Sequence, residues 1–426
     1  LGSLFSTITG STPSTKDASL YGDEYPFYKP TDLDAGFDVC FSEDTVSEKG
    51  YKNGRILPVY SVLVTCIGAT IGKTGYIRNS GICNQQINAI LPNTFILPEY
   101  TYFCMCSEFE QQQIWTNSSA TTLPILNKSK FDSLFFPVPP KAQQTRTVER
   151  IKELLHFVEI IQQEKRTLQE TIKLTKSKIL DLAIRGKLVP QDPNAEPASV
   201  LLERIRAEKE ELIKQGNTKR GKKESIIFRG DDNSYYLRTG RVEESLEDWR
   251  FDDLPETWKI CCLGELCDYG DCINVNTEDI AEDAWILDLE DIEKDTGTVL
   301  KKVTKDQRNS VSTKHKFHSG QVLYSKLRPY LNKVVLSDAD GYCTSEILPL
   351  EFKNCVLPEY ARYYLMSGTF IAYANHCSYG VKMPRLGTTD GKKAIFSLPP
   401  LSEQKRIVET IDFCFVQLNK ISEALA

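Results

Sequence analysis

The segment PPKAQQTRTVERI at residues 139–151 has a closely similar second copy, PPLSEQKRIVETI, at residues 399–411. Seven of these thirteen positions are identical when the sequence is shifted by 260 residues. The same shift superimposes Leu97–Tyr100 on Leu357–Tyr360, which both read LPEY. One shift that aligns well-separated segments indicates a tandem duplication. The repeating unit is far too long for a solenoid, so we expect each copy to contain a folded domain of its own.

Each copy has the same internal order of predicted elements. Short β-branched runs such as Ser61–Thr65 and Gln321–Ser325 alternate with helix-like stretches such as Glu99–Ile114 and Glu359–Tyr373. A Pro-Pro pair then ends this mixed part, and a long helical pattern follows it. This order predicts an α+β domain followed by a helix, twice. The length of 426 residues is compatible with two or three domains.

The first long helix is predicted from Thr147 to Arg185, with Gly186 as its stop. Its apolar residues follow the heptad spacing of a coiled coil, and those of the second helix match them under the same shift. Two matching apolar seams predict that the helices pack together as an antiparallel pair; a helix of another protein is an alternative, compatible occupant of the seam. The seam residues are Ile151, Leu154, Val158, Ile161, Leu168, Ile172, Ile179 and Leu182 in the first copy, and Ile411, Leu418 and Ile421 in the second.

A central region separates the two copies. We expect an extended stretch at Leu188–Pro193 and a charged amphipathic helix at Ala198–Gln215. The following segment, Gly216–Glu224, is predicted to be a flexible basic linker.

The net charge of −6 and the pI of about 5.6 argue against nucleic acid as a partner of the chain as a whole. One segment differs, because Lys301–Lys333 contains nine lysines and arginines and a single acid, Asp306. This segment is either a solvated basic face or a local surface for an anionic partner.

The thirteen cysteines are scattered and odd in number, which is typical of a reducing cytoplasm rather than of a disulfide scaffold. The densest group, Cys261, Cys262, Cys267 and Cys272, lacks the paired spacing of a zinc site, so buried free thiols are expected there. No apolar stretch is long enough to predict a membrane span.

Catalytic motifs are not found in the sequence. Gly68–Thr74 looks like a phosphate loop, but three residues separate its glycines instead of four, and the second copy, Arg328–Lys333, lacks it. Asp340 with Glu351–Lys353 fits only a permissive nuclease pattern. No cofactor fingerprint or methyltransferase tetrad is present. We therefore expect no catalytic activity, metal or cofactor in this chain alone.

Several motifs resemble one known family. They are LPPLSEQKRIV at 398–408 with its weaker copy VPPKAQQTR at 138–146, GKLVPQ at 186–191 with LLERI at 201–205, and ITGSTPS at 8–14 and GQVLYSKLRPY at 320–330. The chain resembles, over essentially its whole length, the specificity (S) subunit of type I restriction–modification systems.

This resemblance implies two target recognition domains joined by conserved helices in an antiparallel coiled coil. Each domain would read one half of a split double-stranded DNA target, and the helices would dock two methyltransferase subunits. Those subunits use S-adenosylmethionine to methylate adenine, and restriction subunits add ATP-driven translocation and Mg-dependent cleavage. The implied domain bounds are 1–143 and 251–402 for recognition domains, 144–186 and 403–426 for long helices, and 187–250 for the central region and linker.

Candidate DNA-binding residues follow from charge and from the repeat. In the second copy they lie in or after the basic segment, beside tyrosines; in the first they occupy the equivalent stretch, where amide side chains suit adenine or guanine. The candidates are Lys73, Arg78 and Gln85 in the first copy, and Lys326, Arg328, Tyr330, Lys333 and Arg385 in the second.

Other interpretations stay open from the sequence. The chain could serve as the recognition subunit of a related methylation or phage-defence system. It could be a coiled-coil adaptor that never touches DNA, or a DNA-modifying enzyme whose site is not recognisable by motif. Binding of DNA, and activity without partner subunits, distinguish these alternatives.

Overall fold

The computed structural model of the chain describes residues 1–119, 123–215, 225–232, 234–246, 253–308 and 311–425. The fold divides into two compact units, unit 1 at Leu1–Glu164 and unit 2 at Lys165–Ala426. The predicted basic linker, Gly216–Glu224, lies outside the described residues. No helix in the part of the chain that is described is long and apolar enough to cross a membrane.

Unit 1 contains two small sheets and short helices. Its strands form one sheet in the order β1-β7-β4-β5 and another in the order β3-β2-β6. The strands are Thr7–Thr9 (β1), Tyr21–Tyr28 (β2), Thr45–Val46 (β3), Val62–Thr65 (β4), Thr74–Tyr76 (β5), Ile82–Cys83 (β6) and Ile87–Ile90 (β7). The helices are Glu48–Asn53 (α1), Pro98–Met105 (α2), Glu108–Asn117 (α3) and Lys128–Asp132 (α4), with 3-10 turns at Ala18–Leu20 and Asp32–Asp38.

A single long helix, α5 at Lys141–Ile184, contains the boundary between the two units. It begins directly after the Pro-Pro pair, a few residues before the predicted start at Thr147, because proline excludes the helical conformation only from the residue that precedes it. Gly186 has a φ of 67°, the left-handed conformation that ends helices, as predicted.

Unit 2 continues with α6 and a larger set of strands. The sheet orders are β10-β9-β8, β11-β20, β12-β15-β18-β13-β14 and β17-β16-β19. The strands are Ser225–Arg229 (β8), Tyr235–Thr239 (β9), Val242–Ser245 (β10), Lys259–Cys262 (β11), Ile273–Val275 (β12), Trp285–Leu287 (β13), Val303–Thr304 (β14), Lys314–Phe317 (β15), Val322–Ser325 (β16), Val334–Leu336 (β17), Gly341–Thr344 (β18), Ile347–Leu350 (β19) and Ile395–Leu398 (β20).

Unit 2 also contains a set of mostly short helices. They are Ala198–Lys214 (α6), Leu263–Leu266 (α7), Pro358–Leu365 (α8), Gly368–His376 (α9), Thr388–Lys393 (α10) and Leu401–Ala424 (α11), with 3-10 turns at Thr277–Asp279, Leu289–Asp291, Lys305–Gln307 and Pro329–Leu331. The amphipathic helix predicted at Ala198–Gln215 is confirmed, since Leu201, Leu202 and Ile205 are buried in the main core of unit 2.

The structure confirms the duplication in the elements that the two copies share. β4, β5 and β7 fall on β16, β17 and β19 under the 260-residue shift, with identical bounds and antiparallel pairing. Helices α2 and α8 also coincide under this shift, and α5 and α11 begin at equivalent residues. The predicted α+β class is therefore correct for both copies.

A buried glutamine explains why the Pro-Pro segment is repeated. Gln404 accepts a hydrogen bond from Leu357 N at 2.8 Å and donates to Cys355 O at 2.9 Å and Pro399 O at 3.0 Å. Gln144 makes the equivalent set of bonds in unit 1, to Leu97 N at 2.8 Å, Pro139 O at 2.9 Å and Phe95 O at 3.5 Å. We call this side chain the latch, because it fastens the start of the long helix to the segment before α2 or α8.

Within unit 2 the two long helices run antiparallel, as predicted. Lys176 Nζ donates to Asn419 Oδ1 near the end of α11 at 2.5 Å, and at the C-terminal end of α5, Ile184 O accepts a hydrogen bond at 2.6 Å from Ser397 Oγ of β20, just before α11 begins. The partner's residue number therefore falls as that of α5 rises. Ile411 of α11 is buried in the main core of unit 2, and Ile172 of α5 is also buried.

The region between the copies contains more structure than the sequence predicts. Strands β8, β9 and β10 form a sheet after the predicted linker, in a stretch for which the sequence predicts no element, and Ile227 and Leu237 pack with Ile260 of β11. The strands were missed because charged residues interrupt their alternating pattern. The cysteine cluster packs as predicted, with Cys261, Cys262 and Cys267 buried.

Candidate nucleic-acid interface

The loop that joins β4 to β5 and its counterpart between β16 and β17 have the same backbone shape. In unit 1, Gly68 and Gly72 have φ values of 106° and 86°. In unit 2 the equivalent residues are Arg328 and Asn332, with φ values of 50° and 49°. A residue with a side chain adopts this left-handed conformation at a cost of about 1 kcal/mol. In the second copy, Arg328 and Asn332 keep the positive φ that glycine adopts in the first copy, despite this cost. This indicates that their side chains have a role.

We call these loops, residues 66–73 and 326–333, the turn loops. Each is hydrogen-bonded to a second loop, the bridge loop, whose described residues are 119 and 123–125 in unit 1 and 379–385 in unit 2. The pairing is the same in both units, so the site is a duplicated framework. Its bonds are Arg328 N to Pro384 O at 2.7 Å and Leu386 N to Lys326 O at 3.0 Å, matched by Gly68 N to Pro124 O at 3.0 Å and Leu126 N to Cys66 O at 2.8 Å.

The turn loop of unit 2 holds four of the predicted DNA-binding residues. Lys326 and Arg328 are partly exposed, and the Nε atom of Arg328 is buried without a hydrogen-bond partner among the described residues. Tyr330 is 51% exposed. Lys333 instead points inward, where its Nζ donates to Leu289 O at 2.6 Å and burial lowers its pKa. The loop therefore presents two basic side chains and one aromatic ring to solvent.

Arg385, the fifth candidate, lies at the end of the bridge loop and is engaged within the protein. Its Nε and Nη2 donate to the carboxylate of Glu346 at 2.8 to 3.1 Å, and its Nη1 donates to Met383 O at 3.1 Å. These hydrogen bonds raise the pKa of Arg385. All three guanidinium nitrogens thus hold the loop in its shape.

The candidates of unit 1 lie in the turn loop and in the segments that follow it. Lys73 forms an ion pair with Asp34 at 2.7 Å. Arg78 donates from Nε to Asp38 Oδ1 at 2.6 Å, and its guanidinium lies 4.6 Å from the ring centroid of Tyr76. Gln85 is exposed and accepts a hydrogen bond from Thr12. Of these three residues, Gln85 presents the most accessible side chain.

The basic segment Lys301–Lys333 carries less unpaired charge than its sequence indicates. Four of its cations form ion pairs with acids from elsewhere in the sequence. The sequence count of +8 therefore overstates the positive potential of this surface. The pairs are Lys301 with Asp291 at 3.8 Å, Lys302 with Asp338 at 2.7 Å, Lys305 with Glu282 at 3.0 Å, and Arg308 with Asp288 and Asp291, each at 2.5 Å.

The predicted seam of α5 is buried only in part. Ile179 and Leu182 are half-buried beside the buried Ile172. The earlier positions are open: Leu154 is 47% exposed and Ile161 is 64% exposed. Ile151 is half-buried, the exposed seam residues also include Val158 and Leu168, and on α11 Leu418 is half-buried and Ile421 exposed.

The glycine-rich turn loop of unit 1 is not arranged to hold a phosphate. Gly72 N donates to Thr65 O at 2.9 Å and Lys73 N donates to Thr70 O at 3.1 Å, so these amides are occupied within the loop.

Burial raises the pKa of the Cys262 thiol to about 12, so it is protonated at neutral pH and packs as an apolar group. Across the described ranges, no group of three or more His, Cys, Asp or Glu could hold a metal ion.

Sequence reasoning named Arg385 at the end of the bridge loop but missed the exposed residues at its tip. Tyr379 is 63% exposed and Val381 is fully exposed, and both follow a helix that the sequence does show. The signal available was the shift itself, because Pro124 matches Pro384 and marks the equivalent loop in both copies.

Comparisons with known proteins agree with this organisation. The sequence matches the profile of the Type I restriction modification DNA specificity domain at residues 1–170 and again at 255–424. The chain is 23% identical over 344 residues to the type I restriction enzyme EcoDI specificity subunit of Escherichia coli, covering 79% of this chain and 67% of that protein. It is 29% identical over 270 residues to the EcoAI specificity subunit of the same species, covering 60% of this chain and 42% of the relative.

A solved structure shares the fold. The crystal structure of the HsdS subunit from Thermoanaerobacter tengcongensis superimposes with a TM-score of 0.50, covering 99% of this chain and 92% of that one at 14% identity. The profile matches both copies and together spans well over half of the sequence. The chain therefore belongs to the type I restriction–modification DNA specificity family.

Proposed function

We propose that this chain is the DNA specificity subunit of a type I restriction–modification complex, in which each unit reads one half of a bipartite target. The observation that carries the proposal is the specificity-domain match to each copy, together with the duplicated turn and bridge loops. Two readers in one chain recognise two half-sites at a fixed separation. Because the loops differ in sequence, the two halves need not be related by symmetry.

The exposed side chains of the turn loops suit DNA. Lys326 and Arg328 would contact phosphates and set the register, and Tyr330 would lie against base edges, as would Gln85, which lies between β6 and β7 of unit 1. The acidic net charge is compatible with this role, since only these loops need to be basic and partner subunits can enclose the rest of the DNA.

The exposed seam of α5 supports the proposal that the helices dock two methyltransferase subunits. Leu154, Val158 and Ile161 expose an apolar face that a monomer in water would not favour. The methyltransferase subunits would supply S-adenosylmethionine chemistry, and restriction subunits would supply ATP- and Mg-dependent cleavage. This chain would contribute recognition without catalysis, in the cytoplasm where the chromosome lies.

A map of N6-methyladenine tests the proposal. The chain is expressed with its neighbouring methyltransferase gene in a host that lacks DNA methylation. We expect methylation within a gapped motif of two unlike halves. Replacing residues 1–143 with those of a relative should change one half only. A stable complex that methylates nothing would instead favour the adaptor interpretation.

A further inference from the structure

The bridge loop of unit 2 exposes apolar side chains at its tip. Val381 is fully exposed, Tyr379 is 63% exposed and Met383 is 45% exposed. Tyr330, on the turn loop bonded to it, is 51% exposed. Several exposed apolar side chains on one short loop indicate an interaction surface. The tip is therefore expected to be covered by a partner.

The bridge loop is built as a rigid projection. Tyr379 and Arg385 exchange two backbone hydrogen bonds, at 3.0 and 3.1 Å, which close the base of the loop. Gly380 turns the chain with a φ of 99°. Arg385 then joins the loop to Glu346 and to Met383 O. A preformed loop loses little entropy on binding, which favours insertion into a defined groove.

The charges around the tip favour an anionic partner. Lys382 is exposed at the tip, and Lys326 and Arg328 are partly exposed on the adjoining turn loop. Glu346, which contacts the end of the loop, is neutralised by its ion pair with Arg385. An apolar tip accompanied by cations that form no ion pair with the described residues matches DNA, whose bases offer apolar surfaces between two rows of phosphates.

We propose that the bridge loop of unit 2 inserts Val381 and Met383 into a groove of the DNA, against the bases of the second half-site, and that Arg385 positions the loop from behind without touching phosphate. The inference rests on the proposed function and adds the residues that read the bases. Thymine methyl groups and the edges of a flexible base step are the apolar surfaces such side chains contact. Leu123 of unit 1, 52% exposed on the equivalent loop, would act on the first half-site.

The test compares Val381→Ser with Val311→Ser in the assembled complex with its methyltransferase. Val311 is a matched control, because it is also a fully exposed valine of unit 2 but lies outside both loops. Dissociation constants are measured for duplexes with the mapped target, with either half scrambled, and with no target. We expect Val381→Ser to weaken binding to the intact target about tenfold. Duplexes whose second half is already scrambled should be bound as by the wild type.

The outcomes separate this inference from the proposed function. A wild-type complex that does not prefer its target contradicts the proposed function itself. A wild type that prefers the target while Val381→Ser behaves as Val311→Ser overturns the bridge-loop assignment alone. Equal weakening on all duplexes, or loss of the methyltransferase, also overturns it and would assign the loop to a protein contact. Replacing thymine with deoxyuridine in the second half removes the C5 methyl group. Weaker binding to that duplex would indicate a contact with the methyl group, and unchanged binding would indicate insertion at a base step.

Arg385→Gln tests the positioning role. If Arg385 only shapes the loop, the variant should bind the target more weakly while the dependence of log affinity on log salt keeps its slope. A slope reduced by about one would show that the guanidinium neutralises a phosphate, and would overturn the positioning assignment.

Discussion

The two units share a backbone framework and differ in the side chains placed on it. Gly68 and Gly72 in unit 1 become Arg328 and Asn332 in unit 2, although φ stays positive at both positions. The latch behaves in the opposite way, since the same glutamine makes equivalent bonds in each copy. The comparison teaches that the attachment of helix to domain is held constant after duplication, whereas the loops proposed to meet DNA are free to diverge.

The long helices allow the sharpest test of this asymmetry. Ile411 is fully buried, whereas the equivalent Ile151 is only half-buried. We expect Ile411→Asp to destabilise unit 2 by more than about 4 kcal/mol, because it buries an unpaired carboxylate. Ile151→Asp should cost about 1 kcal/mol. Calorimetric melting of both variants measures the difference, and equal losses would contradict the unequal burial.

The latch should give matched effects. Gln144→Ala and Gln404→Ala each leave buried backbone groups unpaired, so each should cost about 2 kcal/mol in its own unit. Gln143→Ala, at the exposed neighbouring position, is the control and should be neutral. Hydrogen exchange of the Leu97 and Leu357 amides reports the local loss directly. If the exchange rate rises for only one of these two amides, the two latches are not equivalent.

The turn loops should separate stability from binding. Arg328→Gly relieves a left-handed residue and should stabilise unit 2 by about 1 kcal/mol, while weakening DNA binding. The reciprocal change, Gly68→Ala, should destabilise unit 1 by about 1 kcal/mol and leave binding to the second half-site unchanged. Thermal melting and DNA titration on the same samples check both. An Arg328→Gly variant that is less stable would show that the arginine packs as a structural side chain.

The smallest expected effect concerns Glu403, which replaces the Gln143 of unit 1. Glu403 is buried beside Gln191, and burial raises the pKa of its carboxyl, although the side chains of Trp258, Gln191 and Arg406 offset part of the rise. The folded state therefore keeps a proton that the unfolded chain has lost, so stability falls as pH rises above the ordinary glutamate pKa of about 4.3. Glu403→Gln should remove this slope. Urea unfolding from pH 4 to 7.5 measures it; an unchanged slope assigns it to other groups.

The repeat predicted most of the fold, because aligning the two copies with each other shows which residues occupy equivalent positions. Helix α5, helix α6 and the antiparallel packing within unit 2 follow from apolar spacing alone. The hairpin β8–β10 did not, because its exposed strands have little apolar alternation to detect.

The candidate site was harder to predict, because charge counted along the sequence ignores partners that fold in from elsewhere. Arg308 and Lys302 look free in the sequence, yet Asp288 and Asp338 neutralise them in the fold. Conversely, the exposure of Val381 cannot be read from a single sequence, since valine is usually a core residue.

The latch also bears on how the chain is made. In both copies it joins residues 47 apart, so each closes a short loop. The first latch can close while the second copy is still being synthesised, and the N-terminal domain can mature before a similar competitor emerges from the ribosome. Tandem homologous domains are prone to exchange strands with each other during folding. An early, local closure limits that error, and the sequence divergence of the two copies limits it further.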